Sequence, residues 1–225
     1  MRDYVLSIYA DRFDKNIQNR NIMWKILCHD YFQKYIDKKD TVLDLGAGYC
    51  EFINNIKCKT KIAVDINAYT KKIANKDVIV YKTLSTALPK SLTDSVDKIF
   101  VSNFFEHLES KDELIETLKE IRRVLKPGGK VLILQPNIRL VGNKYWDYID
   151  HTLPLTEKSL YEAFSLTNFK INYKKVRFLP YTTNSKIPAI PIFIKLYLKL
   201  APIQFLMGKQ TFVIGQKTKQ NPLRK

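Results

Sequence analysis

Residues 42–56, VLDLGAGYCEFINNI, and residues 62–67, IAVDIN, together spell strand, glycine turn, helix, strand and terminal acid. A short apolar run (Thr41, Val42, Leu43, Leu45) enters the turn Gly46-Ala47-Gly48. A helical pattern follows, and a second apolar run (Ile62, Ala63, Val64) ends in Asp65. That succession is the first unit of a nucleotide-binding α/β sheet. Glycine lets backbone approach a ligand closely, and an acid at a strand end accepts hydrogen bonds from two ribose hydroxyls. Asp44, Gly46, Ala47, Gly48, Asp65 and Ile66 are therefore expected to line a cofactor.

The dinucleotide fingerprint needs a third glycine where this chain has Phe52, and here an acid, Asp44, precedes the first glycine. Asp44-Leu45-Gly46-Ala47-Gly48 resembles motif I, D/E-x-G-x-G, of the class I S-adenosylmethionine (SAM)-dependent methyltransferases. SAM carries no pyrophosphate, so the loop need not present a helix N-terminus to phosphate. Further landmarks follow in the family's order. Residues 96–102 read as the fourth strand, and Asn103-Phe-Phe-Glu106-His107-Leu108 comes next. Ser110 and Glu113 form a capping box, opening a helix with Leu114, Ile115, Leu118, Ile121, Val124 and Leu125 at helical spacing. Leu125-Lys-Pro127-Gly128-Gly129-Lys130 stops that helix before a fifth strand at 131–134, and "LKPGG" is characteristic of the family.

The resemblance spans roughly residues 40 to 136. It implies a Rossmann-like, seven-stranded, doubly wound α/β sheet that binds SAM, with the glycine loop on the methionine and ribose portions, Asp65 on the ribose and Asn103 in the pocket. Many relatives carry an acid after strand three for the adenine amino group. Here Thr83-Leu84-Ser85 stands instead, so adenine recognition falls to backbone at Leu84 or Ser85, or to the Ser85 hydroxyl. Relatives also close an N-terminal segment over the cofactor, and Arg12 is placed to pair with its carboxylate through two parallel hydrogen bonds.

Outside this core, residues 1–39 read as an N-terminal helical cap, with Ile22, Ile26, Leu27, Tyr31, Phe32 and Ile36 as its apolar stripe. Residues 40–225 form the methyltransferase domain. Thr156 caps a helix containing Leu160, Ala163 and Phe164, a sixth strand follows near 169–178, and a seventh covers 211–215. Between these two strands lies a basic, apolar C-terminal helical insertion at about 183–209. It is read first as a helical pair covering the sheet or a dimer contact. The second reading is a segment lying on an anionic membrane, with lysines towards the headgroups.

In sheets of this type ligands bind beyond the strand C-termini, so the loop after strand five faces the acceptor. Asn137, Tyr145, Trp146 and Tyr148 are expected to contact it. Of the three histidines, His29 reads as structural and His107 as support for the cofactor pocket. His151 is the expected general base, with Asp150 or Asp147 orienting it. Ser102-Asn103-Phe104-Phe105 differs from the N/D-P-P-Y phrase of base amino methylases, and the cysteine pair of pyrimidine carbon methylases is missing. The phrase from Asp150 to Leu160, with Arg177-Phe-Leu-Pro-Tyr181-Thr downstream, resembles bacterial methyltransferases of surface-polysaccharide biosynthesis. A small-molecule or glycan acceptor, methylated on a hydroxyl, is the leading expectation. A membrane lipid or quinone methylase, an RNA methylase and a non-catalytic SAM-binding module are the alternatives.

The formal net charge is +16, and after Glu162 no acidic residue appears. That asymmetry suits an anionic partner: a phosphate-bearing acceptor, an acidic membrane or nucleic acid. Lysine outnumbers arginine, which is disfavoured for sequence-reading nucleic-acid contacts. The three cysteines, Cys28, Cys50 and Cys58, lack metal-ligand spacing, so no metal site is expected, and they fit a reducing cytoplasm. Nor does the start of the chain carry an apolar leader core. The oligomeric state is left undefined.

Overall fold

The structure is a computed structural model that describes residues 17–181 and 190–218. Seven strands form one sheet: β1 Thr41–Leu45, β2 Thr60–Asp65, β3 Val78–Lys82, β4 Val96–Ser102, β5 Leu125–Pro136, β6 Phe169–Lys175 and β7 Gln210–Lys217. Their order is β3-β2-β1-β4-β5-β7-β6. The first five strands run parallel, while β7 lies antiparallel to both β5 and β6. The strand order reverses between β1 and β4, which opens a crevice at their C-terminal ends.

The central strands are apolar on both faces because both are covered. Leu43, Leu45, Ile99, Val101, Val131 and Ile133 face one core, shared with α2 (Lys111–Val124) and α3 (Glu157–Leu166). Their alternates Val42, Phe100, Leu132 and Leu134 face a second core, built with α1 (Ile17–Asp30) and the segment after the glycine loop. Trp24, Leu27, Tyr31, Phe32 and Ile36 carry α1 and its following 3-10 turn onto the sheet, whereas Ile22 is exposed, against its expected place in the stripe.

Several expectations need correction. No helix forms after Gly48. Cys50 has a left-handed backbone (φ 57), and the chain makes a short run of turns, with Asn54 N donating to Cys50 O and Ile56 N to Phe52 O. At α2 the Ser110 hydroxyl accepts from Glu113 N, but the Glu113 carboxylate reaches Glu109 N, one residue before the cap. β5 begins at Leu125 rather than 131, and β6 ends at Lys175. The insertion does contain a helical pair, α4 (Pro191–Lys199) and α5 (Ala201–Met207). It packs beside α1 and is pinned by Tyr197 Oη donating to Phe178 O at 2.5 Å, while Ile192, Phe193, Phe205 and Leu206 remain exposed. No helix among the described residues is long and apolar enough to cross a membrane.

Candidate functional site

The crevice holds a cavity of about 710 Å³, in the range of small-molecule sites. Its floor is the glycine loop. Gly46 has φ +70, and a Cβ there would meet the Phe104 ring at 2.6 Å, so only glycine fits. Gly48 has φ +48 and open space where a Cβ would point. Gly46 N and Ala47 N donate to Val64 O at 2.9 and 3.1 Å, which binds the loop to the end of β2. Asp65 closes the arrangement: its carboxylate accepts from Gly48 N at 2.8 Å and from Asn67 N at 2.7 Å. Desolvation raises the Asp65 pKa above the usual carboxylate range, opposed by those backbone donors. Beneath the loop, burial pushes Asp44 up to about 8.

Asp44, Gly46, Ala47, Gly48, Asp65, Ile66, Leu84, Ser85 and Asn103 all line this cavity. Asn103 turns the chain at the end of β4 with φ 47, a conformation that asparagine tolerates better than most residues. The Ser85 hydroxyl, the alternative to backbone for adenine, is hydrogen-bonded to Thr117 Oγ1 at 2.8 Å. Arg12 lies outside the described residues. A different arginine, Arg20 on α1, enters the cavity, paired with Glu51 at 2.6 Å and lying 5.5 Å from the Tyr49 ring. The sequence showed Arg20 as one polar residue in a helix; its proximity to the loop arises from helix packing. Space beside Gly48 and the Asp65 carboxylate at the end of β2 fit the expected cofactor contacts.

The other end of the same cavity gathers Glu106, His107, Tyr148, Asp150, His151 and Tyr181. Two segments meet there. Thr152 N and Leu153 N donate to Glu106 O at 2.8 and 3.1 Å, and Thr152 Oγ1 to Leu108 O at 2.6 Å. This ties the His151 loop to the turn after β4. The Tyr148 ring stacks on His151 at 4.9 Å, and the Tyr181 hydroxyl lies 3.3 Å from His151 Nδ1. Asp150, the expected orienting partner of His151, also sits beside His107. His107 Nδ1 is 3.0 Å from the Asp150 carbonyl and 3.4 Å from its carboxylate. Glu106 is 1% exposed, and burial raises its pKa. One donor atom each from Glu106, His107 and His151 lies within 4.8 Å of the others, a cluster that the cysteine-based metal expectation overlooked.

Three of the four expected acceptor residues do not line the cavity. Asn137 is buried and spent on structure, its amide donating to Glu157 Oε2 at 2.7 Å and Thr211 Oγ1 at 3.1 Å while its oxygen caps Arg139 N. Tyr145 is wholly buried and its hydroxyl donates to Leu153 O at 2.7 Å. Trp146 is exposed on the outer side of the loop. Tyr148 does reach the cavity. Glu106 and Tyr181 were missed: Glu106 stood in a quoted motif without a role, and Tyr181 is 30 residues from the histidine it touches.

Residues 43–133 match the methyltransferase domain family model. An uncharacterised methyltransferase of Schizosaccharomyces pombe is 30% identical over 131 residues, which is 55% of this chain and 45% of the relative. The match thus spans less than half of that relative's length. An uncharacterised protein of Methanocaldococcus jannaschii is 31% identical over 66% of this chain and 64% of its own length. Among solved structures, a chain from the complex of the Haloferax volcanii Trm112 methyltransferase activator with a methyltransferase aligns with TM-score 0.72 at 18% identity, covering 97% of this chain and 100% of that one. A SAM-dependent methyltransferase from Archaeoglobus fulgidus aligns with TM-score 0.65 at 21% identity, covering 96% and 100%. With its strand order, its glycine loop and the acid at the end of β2, the chain carries a methyltransferase domain match over residues 43–133 on the fold of SAM-dependent methyltransferases, and the cofactor these likenesses imply is SAM.

Proposed function

We propose that the protein methylates a hydroxyl of a small, sugar-containing acceptor. The observation that carries this reading is the continuity of one cavity, from the Gly46–Gly48 loop and Asp65 to the polar group around His151. SAM supplies an activated methyl on a sulfonium. The chain's task is then to hold an oxygen in line with that methyl, exclude water and remove the hydroxyl proton. His151 can serve the last step in the tautomer protonated on Nδ1. Tyr181 Oη lies 3.5 Å from Tyr145 O and 3.3 Å from His151 Nδ1, and when it donates to the carbonyl it accepts from His151 Nδ1–H. The lone pair then sits on the other ring nitrogen. Tyr148, stacked on this ring, offers an aromatic face to a sugar.

The glycan acceptor rests on the sequence phrase around Asp150 and on the net charge of +16, which suits phosphate-bearing saccharides. A second reading, a lipid-linked acceptor met at a membrane surface, is favoured by the exposed Ile192, Phe193, Phe205 and Leu206 on α4 and α5. A module that binds SAM without turnover is separated from both by replacement. Asp65→Ala removes charge-assisted hydrogen bonds and is expected to weaken SAM binding by about 10- to 100-fold in calorimetry. His151→Ala is expected to leave SAM binding intact and lower turnover by about 10²–10⁴-fold. Full turnover by His151→Ala would sink the role given to this histidine.

A further inference from the structure

Where the SAM cavity meets the acceptor, Glu106, His107 and His151 form a constellation that the general-base reading does not use in full. We infer that these three side chains bind one divalent first-row transition cation, of the Zn²⁺ or Mn²⁺ class, which grips the acceptor hydroxyl. The inference rests on the methyltransferase reading above.

Two imidazoles and one carboxylate are the donor set preferred by such ions, whereas Mg²⁺ and Ca²⁺ favour all-oxygen sets. The three donors lie within 4.8 Å of one another. Donors about 2.0–2.2 Å from a tetrahedral zinc ion stand roughly 3.3–3.6 Å apart, so side-chain rotations draw the set together as the ion binds. Three protein ligands leave coordination positions open, as in catalytic rather than structural sites.

The surroundings argue the same way. Glu106 Oε2 is buried and makes no hydrogen bond among the described residues, so the ionised carboxylate, which burial disfavours, gains from a cation beside it. His107 Nδ1 faces the Asp150 carbonyl at 3.0 Å, and a carbonyl only accepts, so Nδ1 carries the proton and Nε2 the lone pair. His151 Nδ1 is held likewise by Tyr181 at 3.3 Å. Ligating histidines characteristically donate their second ring N–H to a carbonyl, carboxylate or hydroxyl. The His107 ring is turned in that way before any ion arrives, and His151 joins it when Tyr181 accepts from its Nδ1–H.

With the cation in place, His151 is a ligand and no longer takes the proton. The cation lowers the pKa of the hydroxyl it holds, and the proton leaves to water. The acceptor oxygen forms the O–CH₃ bond as the S–CH₃ bond breaks, and that electron pair stays on sulfur, leaving a neutral thioether.

The test uses the full chain, stripped with a chelator and dialysed, with Co²⁺ as a spectroscopic probe. One equivalent of Co²⁺ should develop visible d–d absorption without a thiolate charge-transfer band, and one equivalent of Zn²⁺ should abolish it. His107→Gln and His151→Gln should each lose the signal, His151→Gln while keeping SAM affinity, and Tyr181→Phe should weaken metal binding by about tenfold or more. Absence of a Co²⁺ signal in the wild-type chain, or a thiolate band assigning the ion to cysteine, overturns the inference. So does methyl transfer that persists in excess chelator; that result leaves the methyltransferase reading standing, with His151 as base. A chain that binds Co²⁺ as described but not SAM would instead refute the methyltransferase reading on which the inference rests.

Discussion

Asp44 shows how one residue links folding to ligand binding. It closes β1 beneath the glycine loop at 4% exposure, and desolvation pushes its carboxyl up to about 8, partly offset by the Ile53 backbone donor. The folded chain therefore holds this proton more tightly than the unfolded chain. The stability contribution is complete below the ordinary value of 3.8 and is lost as pH rises through about 8. Glu51, Asp65 and Glu106 shift in the same direction. The cofactor-free protein should thus melt at lower temperature as pH rises from about 5 to about 9, and Asp44→Asn should flatten that slope. Identical slopes for wild type and variant in differential scanning fluorimetry would rule out Asp44 as a source. At this scale the sequence was legible wherever chemistry is local: Asp65 at a strand end and glycines in a turn need no distant partner to be recognised. Tyr145 was illegible for the opposite reason. Its hydroxyl looked available in a loop rich in acceptor-binding groups, and only the folded loop spends it on the Leu153 carbonyl.

Among the elements, the parallel strands were the most legible, because continuous apolar runs bounded by polar turns admit few other readings. β4 occupies Val96–Ser102 as expected. The helix expected after the glycine loop failed since few residues separate Gly48 from the exposed Lys57, too few to repay helix nucleation, and the left-handed Cys50 interrupts them. By contrast, α3 begins where its cap predicts. Thr156 Oγ1 accepts from Ser159 N at 3.2 Å, and Ser159 Oγ accepts from Thr156 N at 2.9 Å. Thr156→Ala should cost about 1 kcal/mol in urea denaturation and lower Tm by about 2–4 °C. SAM affinity should not change, since Thr156 does not line the cavity. A variant as stable as wild type would show that the cap carries no load in this fold.

For the whole molecule, charge and apolar surface are distributed unevenly. The chain after Glu162 is wholly without acids, and α4 and α5 expose Phe193, Phe205 and Leu206 beside Lys195 and Lys199. If this face meets a membrane, sedimentation with anionic vesicles should exceed that with neutral ones and decline as salt rises. Phe193→Glu combined with Phe205→Glu should abolish it without lowering Tm, because both side chains are exposed. Equal sedimentation of wild type and double variant would exclude this surface. The sequence signalled the mixture of lysine and bulky apolar residues. It did not signal that the helical pair would settle beside α1, which rests on distant partners: Tyr197 Oη on Phe178 O, Lys195 beside Asp30, and Arg177 on Phe205 O.

The central claim is that one cavity carries both SAM and a hydroxyl acceptor. Its most direct test is transfer of radiolabelled methyl from SAM by the purified chain into sugar, lipid and RNA fractions of a cell extract, followed by linkage analysis of the labelled product. The account predicts label in the saccharide or lipid-linked saccharide fraction, on oxygen, lost with Asp65→Ala and strongly reduced with His151→Ala. Label on a base nitrogen in RNA, or tight SAM binding with no label in any fraction, would contradict it.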